Sequence, residues 1–305
     1  MSFIRKKKKG NTYYYELVEN TRIDGKVVQK VLEYFPTINE ARNYAKKYGI
    51  EAPVDSGEWI DGSLRTALEE KLAKLNSMRP LSSSILKRLQ DKFEVDMTYN
   101  SNAIEGNRLT LRETWLVLRK GMTIRGKSMK EHLEATNHAE AIELLEKLVN
   151  SKNDIVESDV LNLQATILYK IDPQNAGFYR HEQVYIEGSK IQLAKWKEVP
   201  HLVQEVYKEL NNKDRGINAV YSAIKVHHKT VKIHPFVDGN GRLARLLMNL
   251  RLMRSGFPPT ILRKDERRAY YSALEKADAN DFRALAMLIG KDVENAIDLY
   301  LEAAG

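Results

Sequence analysis

Three observations in this 305-residue sequence predict a mainly helical fold with a β-hairpin flap, preceded by a small ββα module. From Ser63 onward apolar residues recur at helical spacing, broken by polar caps. The first fifty residues instead hold two runs rich in β-branched and aromatic side chains around Asp24-Gly25, a strong hairpin turn signal. Between the two textures Pro53, Gly57 and Gly62 interrupt any pattern. The expected organisation is a ββα module over 1–50, a linker over 51–62 and a helical domain over 63–305.

TYYYELVENTRI and KVVQKVLEYF read as the two strands of the module, and Asn39 to Tyr48 as its short helix. After the linker, SILKRLQDKFEVDM opens a helix expected over about 82–106, with Gly106 as its natural stop. Ser101 and Glu105 share one face of it, being four residues apart. Thr110 with Glu113, and Ser128 with Glu131, have the spacing of capping boxes at two further helix starts. Over 179–200, Val184, Tyr185 and Ile186 face Ile191, Gln192 and Leu193 across Glu-Gly-Ser-Lys, which reads as a hairpin.

The chemistry concentrates in HPFVDGNGRLAR, His234 to Arg245. Gly239 and Gly241 let the backbone come close to a ligand with its N–H groups aimed outward. Leu243, Leu246, Leu247 and Leu250 then carry a helix whose positive N-terminal end favours anions. Asp238 is a hard oxygen donor of the kind Mg²⁺ prefers. Arg242 and Arg245, three apart, share a helix face and can fork onto phosphate oxygens. His234, with an ordinary pKa near ~6.5, is suited to take a proton from a hydroxyl at neutral pH.

This run resembles the Fic domain motif H-P-F-x-D/E-G-N-G-R-x-x-R, matching it at every fixed position. The resemblance covers roughly Ser63 to Gly305, and it implies a Mg²⁺- and ATP-dependent transfer of AMP to a Ser, Thr or Tyr hydroxyl of a target protein or of the chain itself. It makes His234 the general base and Phe236 the anchor of the loop. Asp238 would hold the metal, Gly239, Asn240 and Gly241 would bind phosphates, and Arg242 and Arg245 would grip those beyond the α position. SNAIEG, Ser101 to Gly106, resembles the family's inhibitory helix, whose Glu pairs with the second arginine and blocks the γ-phosphate. In some relatives that Glu also serves removal of AMP, and the sequence does not choose between the directions. Val184, Tyr185 and Ile186 fall in a segment resembling the target-docking flap. RRAYYSALEKAD resembles the adenine-pocket segment and points to Tyr271 and Asp278, the latter departing from the usual Asn. Relatives of this kind often pair through helical faces, so a homodimer is an expectation too.

Other chemistries find little support. There are no cysteines, so disulfides and thiolate metal sites are excluded. His227 and His228 point about 100° apart on a helix, and His132 and His138 also diverge, so neither pair makes a metal site. No nucleophile elbow or Walker loop is present. No apolar run is long enough to span a membrane and no apolar leader is evident, so a cytoplasmic protein is expected. The net charge of +8 favours acidic partners. Eight Lys or Arg stand against three Asp or Glu in the first thirty residues. Residues 5–30 could therefore contact nucleic acid, and the alternative to an AMP transferase is a nucleic-acid-binding regulator.

Overall fold

The structure is a computed structural model that describes residues 2–9, 12–23, 26–50, 59–185 and 193–305. It divides into two units, residues 1–59 and 60–305.

The first unit has three strands where the sequence predicts two. The added strand is the basic run itself: β1 (Ser2–Lys9) pairs antiparallel with β2 (Thr12–Ile23), which pairs antiparallel with β3 (Lys26–Phe35). Ile4 lies opposite Leu17 and joins Tyr15, Leu17 and Phe35 in a core closed by Ala41 and Ala45 of α1 (Ile38–Tyr48). One apolar residue in alternation is thus enough to seat a lysine-rich strand on its neighbour. The predicted Asp24-Gly25 turn lies outside the described residues, but Ile23 and Lys26 on either side of it are paired.

In the second unit the predicted linker ends early. Asp61 caps α2 (Gly62–Ser77) and Ile60 packs against Gly290, so 60–62 belong to the helical domain. At its centre α8 (Ile217–Ile233) packs along α9 (Asn240–Arg254). Phe236, Leu243, Leu246, Leu247 and Leu250 are fully or almost fully buried, against side chains of α5 (Met129–Asn150), α6 (Glu157–Leu168) and α7 (Val199–Leu210). With α9 buried nearly all round, its polar residues must find partners inside the protein, and they form the site. α3 (Ser83–Ile104) and α4 (Leu111–Lys120) pack on α5, α10 (Arg267–Asp278) contacts α11 (Arg283–Ala304), and α11 lies along α2. Both predicted capping boxes are present, Thr110–Glu113 and Ser128–Glu131. Among the described residues no helix is long and apolar enough to cross a membrane.

The predicted flap is only partly described. Ile186 to residue 192 lie outside the described residues. Val184 and Tyr185 carry no strand pairing, and Tyr185 is exposed. The second half of the predicted segment is not strand: Trp196–Glu198 is a 3-10 turn, and α7 begins at Val199 with Pro200 in its first turn, where proline suits a helix start.

Candidate active site

α8 ends at Ile233 and is capped by His234, whose backbone is left-handed (φ 50°). That reversal turns the chain into the loop before α9, and Arg180 holds it there. The buried guanidinium donates from Nε to the His234 carbonyl (2.8 Å) and from Nη1 to that of Glu182 (2.9 Å). Nη2 donates to the carbonyls of Ala194 and Ile233, while the Arg180 N–H donates to Pro235 O (2.9 Å). One side chain thereby ties both described ends of the flap segment to the main chain of the candidate base. Burial pushes the His234 imidazole below its ordinary pKa, and the nearby Arg180 charge pushes the same way. His234 Nδ1 is buried, which leaves Nε2 as the nitrogen able to meet a substrate.

The loop is closed by Asn240. Its Oδ1 accepts from Phe236 N–H (2.9 Å) and its Nδ2 donates to Phe236 O (2.8 Å). The Asn240 amide, expected from the sequence to bind phosphate, is thus buried and engaged by the loop, while its backbone N–H lies in the first turn of α9. Phe236 is fully buried with the Tyr179 ring 5.3 Å away. Gly239 starts α9 with φ 82°, a conformation that favours glycine. No side chain caps α9, so its first-turn N–H groups stay available for an anion. Gln164 steadies the loop from α6 by donating to Asp238 O (3.1 Å).

Arg242 and Arg245 are both buried on one face of α9. Arg242 Nη2 reaches Asp238 Oδ1 (3.2 Å), and Nη1 lies 3.7 Å from Glu134 of α5. Arg245 meets Ser101 and Glu105: Nε donates to Ser101 Oγ (2.9 Å), and Nη2 donates to Ser101 O (2.9 Å) and Glu105 Oε1 (2.7 Å). Glu105 caps the end of α3, and that end is pinned from two sides. Arg267 donates to Ile104 O (2.7 Å), and Asn102 and Asn107 bond to Glu134 of α5. Glu131, gripped by Arg108 and by Ser128, is held well below the usual carboxylate range and fixes the chain just beyond Asn107.

Asp238 fits a Mg²⁺ site of the nucleotide-assisted kind. Gly239 N–H and Arg242 share its Oδ1, and its half-exposed carboxylate leaves Oδ2 with no protein partner among the described residues. No group of three His, Asp or Glu able to hold a metal alone occurs among the described residues. A metal here would need phosphate oxygens to complete its shell, as Mg²⁺ commonly does.

The adenine-pocket expectations fare unequally. Tyr271 is partly exposed at the rim, stacked under Arg267 at 5.2 Å, with the Glu105 and Arg245 charges acting on it. Asp278 is instead engaged by His228 (2.9 Å), so its carboxylate is already partnered. His227 turns the other way onto Tyr270 (2.8 Å), as the divergence of adjacent histidines requires. Arg180, Gln164 and Glu134 escaped the sequence reading, because each bonds to a segment distant in sequence and no local pattern marks it.

Comparison with known proteins bears on this geometry. The Fic/DOC family profile matches residues 154–252, which hold Arg180, the loop and all but the last two residues of α9. The solved structure of "Fic-1 (aa134 - 508)" from C. elegans is 34% identical with a TM-score of 0.71, covering 79% of this chain and 72% of that one. The chain belongs to the Fic family. A Fic domain containing signaling protein from Bacteroides thetaiotaomicron shares the fold at 29% identity and a TM-score of 0.72, over 78% of this chain and 96% of that one. Protein adenylyltransferase Fic of Drosophila yakuba is 36% identical over 79% of this chain and 50% of its own length. The chain thus spans about half the length of the curated Fic relatives it matches.

Proposed function

We propose that this chain transfers AMP from ATP to a hydroxyl of a protein, a target or itself, and that Glu105 holds it at rest. The observation that carries the reading is the Glu105–Arg245 pair at 2.7 Å, beside His234 and the open N-terminus of α9. Arg245 is buried and can satisfy either a carboxylate or a phosphate with the same Nη2, so the two compete. The adenylyltransferase name of the Drosophila relative supports the choice of reaction.

The chain's own groups account for each demand of the transfer. The first-turn N–H groups of α9 with Arg242 and Arg245 bind the triphosphate. Asp238 would hold Mg²⁺, which when bound neutralises phosphate charge and favours departure of pyrophosphate. The target hydroxyl oxygen attacks the α-phosphorus, the bond to the β-phosphate bridging oxygen breaks, and pyrophosphate leaves. The hydroxyl proton passes to His234 Nε2, on an imidazole that burial and the Arg180 charge keep neutral. The Glu105 carboxylate is also the group in place to orient a water for the removal of AMP, so loss of label from a modified protein belongs in the same assay. Incubation with α-labelled ATP and Mg²⁺ tests the reading. Glu105→Gly is expected to self-label at least about 10-fold faster than wild type, in keeping with release of one charged hydrogen bond. Equal labelling of the two proteins refutes the resting role, and no labelling of either refutes the transfer.

A further inference from the structure

α9 carries the Fic loop at its start and a cluster of cations at its end, about 16 Å along the axis from Asn240 to Arg251. A cavity of about 200 Å³ opens there between the end of α9, the α7–α8 connection and Ser151. Four cationic side chains, Lys213, Arg215, Arg251 and Arg254, line it against one carboxylate, Asp214. Arg251 is the unusual member. Its side chain is almost fully buried, yet Nη1 meets only Ser255 Oγ, Nη2 donates to Asp214 O (3.0 Å), and Nε has no partner among the described residues. The acidic groups nearby are engaged elsewhere: Asp214 accepts from Ser222 (3.1 Å), Glu209 pairs with Lys225 and Lys229, and Asp154 pairs with Lys213. Burial pushes the Arg251 guanidinium below its ordinary pKa; the Asp214 and Glu209 charges oppose this, and those of Arg215 and Arg254 add to it. Arg254 is held at the cavity by the carbonyls of Ser151 (3.1 Å) and Asn153. Among the described residues none of the three arginines has a carboxylate within ion-pairing distance.

We infer that this pocket binds a compact phosphate anion carrying two or more charges, of about the size of pyrophosphate. A guanidinium stays ionised when buried, and one whose only partners are neutral carries a desolvation cost that an anion would offset. Its forked donors match phosphate oxygens, and four cations facing one carboxylate call for a ligand with more than a single charge. The volume fits as well. It equals about six or seven waters at ~30 Å³ each, room for two phosphate groups, and lies below the ~300 Å³ where pockets for drug-sized molecules begin. Favourable interaction with the negative end of α9 does not account for the cluster. Of the three arginines only Arg215 donates to the last turn of α9, at Arg254 O (3.2 Å), while the carbonyls that Arg251 and Arg254 reach belong to other segments.

The test is calorimetric titration of the full chain with pyrophosphate in buffer free of Mg²⁺, with Arg242→Ala alongside to separate this pocket from the Fic loop. Binding is expected in both proteins. Arg251→Met, which removes the charge at similar volume, and the less buried Arg254→Gln are each expected to lower affinity at least about 10-fold, the worth of one charge-assisted hydrogen bond. Acetate, with its single charge, is expected to bind at least about 10-fold more weakly than pyrophosphate. Pyrophosphate should also raise the melting temperature of wild type and of Arg242→Ala but not that of Arg251→Met. Circular dichroism of each variant guards against a folding defect as the cause. Pyrophosphate binding that is lost in Arg242→Ala, that is unaltered by both pocket substitutions in folded protein, or that acetate matches overturns the inference. The first of these outcomes would place the anion at the Fic loop. None of these readouts depends on AMP transfer.

Discussion

A Cβ placed on Gly241 collides with the Glu105 carboxylate, and it would lie 3.3 Å from Arg245 Nη1. Gly241 has no left-handed backbone that would demand glycine, so what it leaves free is the space for the Glu105 carboxylate. Gly241→Ala should therefore destabilise the otherwise unchanged protein by about 1–3 kcal/mol through overpacking. In a Glu105→Gly background the same change should be neutral or stabilise by up to ~1 kcal/mol, as alanine in a helix normally does. Urea unfolding of the four proteins gives the coupling directly, and equal effects in both backgrounds would mean that the two residues do not interact.

Arg180 yields a second expectation. Arg180→Lys keeps one charge but lacks the fork that reaches four carbonyls, so the His234 main chain loses its restraint. In the Glu105→Gly form, kcat for AMP transfer should fall about 10- to 100-fold, the scale of a misplaced catalytic group, with ATP affinity changed by less than about 3-fold. Because His234 is held below the ordinary imidazole range near ~6.5, the rate should stay flat as pH is lowered through that value and fall only beneath it. Removing the Arg180 charge as Arg180→Met should move the fall to higher pH. A parallel loss of ATP binding, or an unshifted profile, would assign Arg180 a purely structural role.

Stability should peak near the ordinary histidine pKa. Burial lowers both His138 and His227 to about 3, so between pH ~6.5 and about 3 the unfolded chain holds two protons that the folded one refuses. Those two groups stabilise fully above ~6.5 and lose their contribution as pH falls toward 3. Asp292 runs oppositely: burial raises it to about 8, so the folded chain keeps a proton that the unfolded one has shed from pH ~4 upward. For these three groups the net difference from pH ~4 to ~6.5 is about one proton, a gain of roughly 1.4 kcal/mol per pH unit, and above ~6.5 their balance should decline toward pH 8. Asp292→Asn should abolish that decline, as denaturant midpoints at pH 6.5 and 8 would reveal. Persistence of the decline in Asp292→Asn would assign it to other groups.

The parts of this protein that were legible in its sequence are those written locally. Ser101 and Glu105 are one helical turn apart, the loop and the first turns of α9 are continuous, and Thr110 and Ser128 cap their own helices through Glu113 and Glu131. What the sequence hid is long-range or depends on alternation. Arg180 looks like any surface arginine until its four carbonyl partners from three segments come together. Asn240 carries a phosphate-binding residue type, yet its amide closes the loop on Phe236. β1 does not read as a strand because a single apolar residue, Ile4, decides which face is buried. Asp278 lies at the end of a helix whose neighbour, α8, supplies His228, a pairing that no spacing within α10 could announce.

The competition at Arg245 is tested most directly by ATP affinity measured calorimetrically with Mg²⁺ in His234→Ala and in His234→Ala/Glu105→Gly, where no turnover disturbs the equilibrium. If Glu105 and the nucleotide phosphates contend for Arg245, removal of the carboxylate should tighten ATP binding by at least about 10-fold and leave ADP binding almost unaltered, the worth of a single charged contact to the terminal phosphate. Equal ATP affinities in the two proteins would contradict the account.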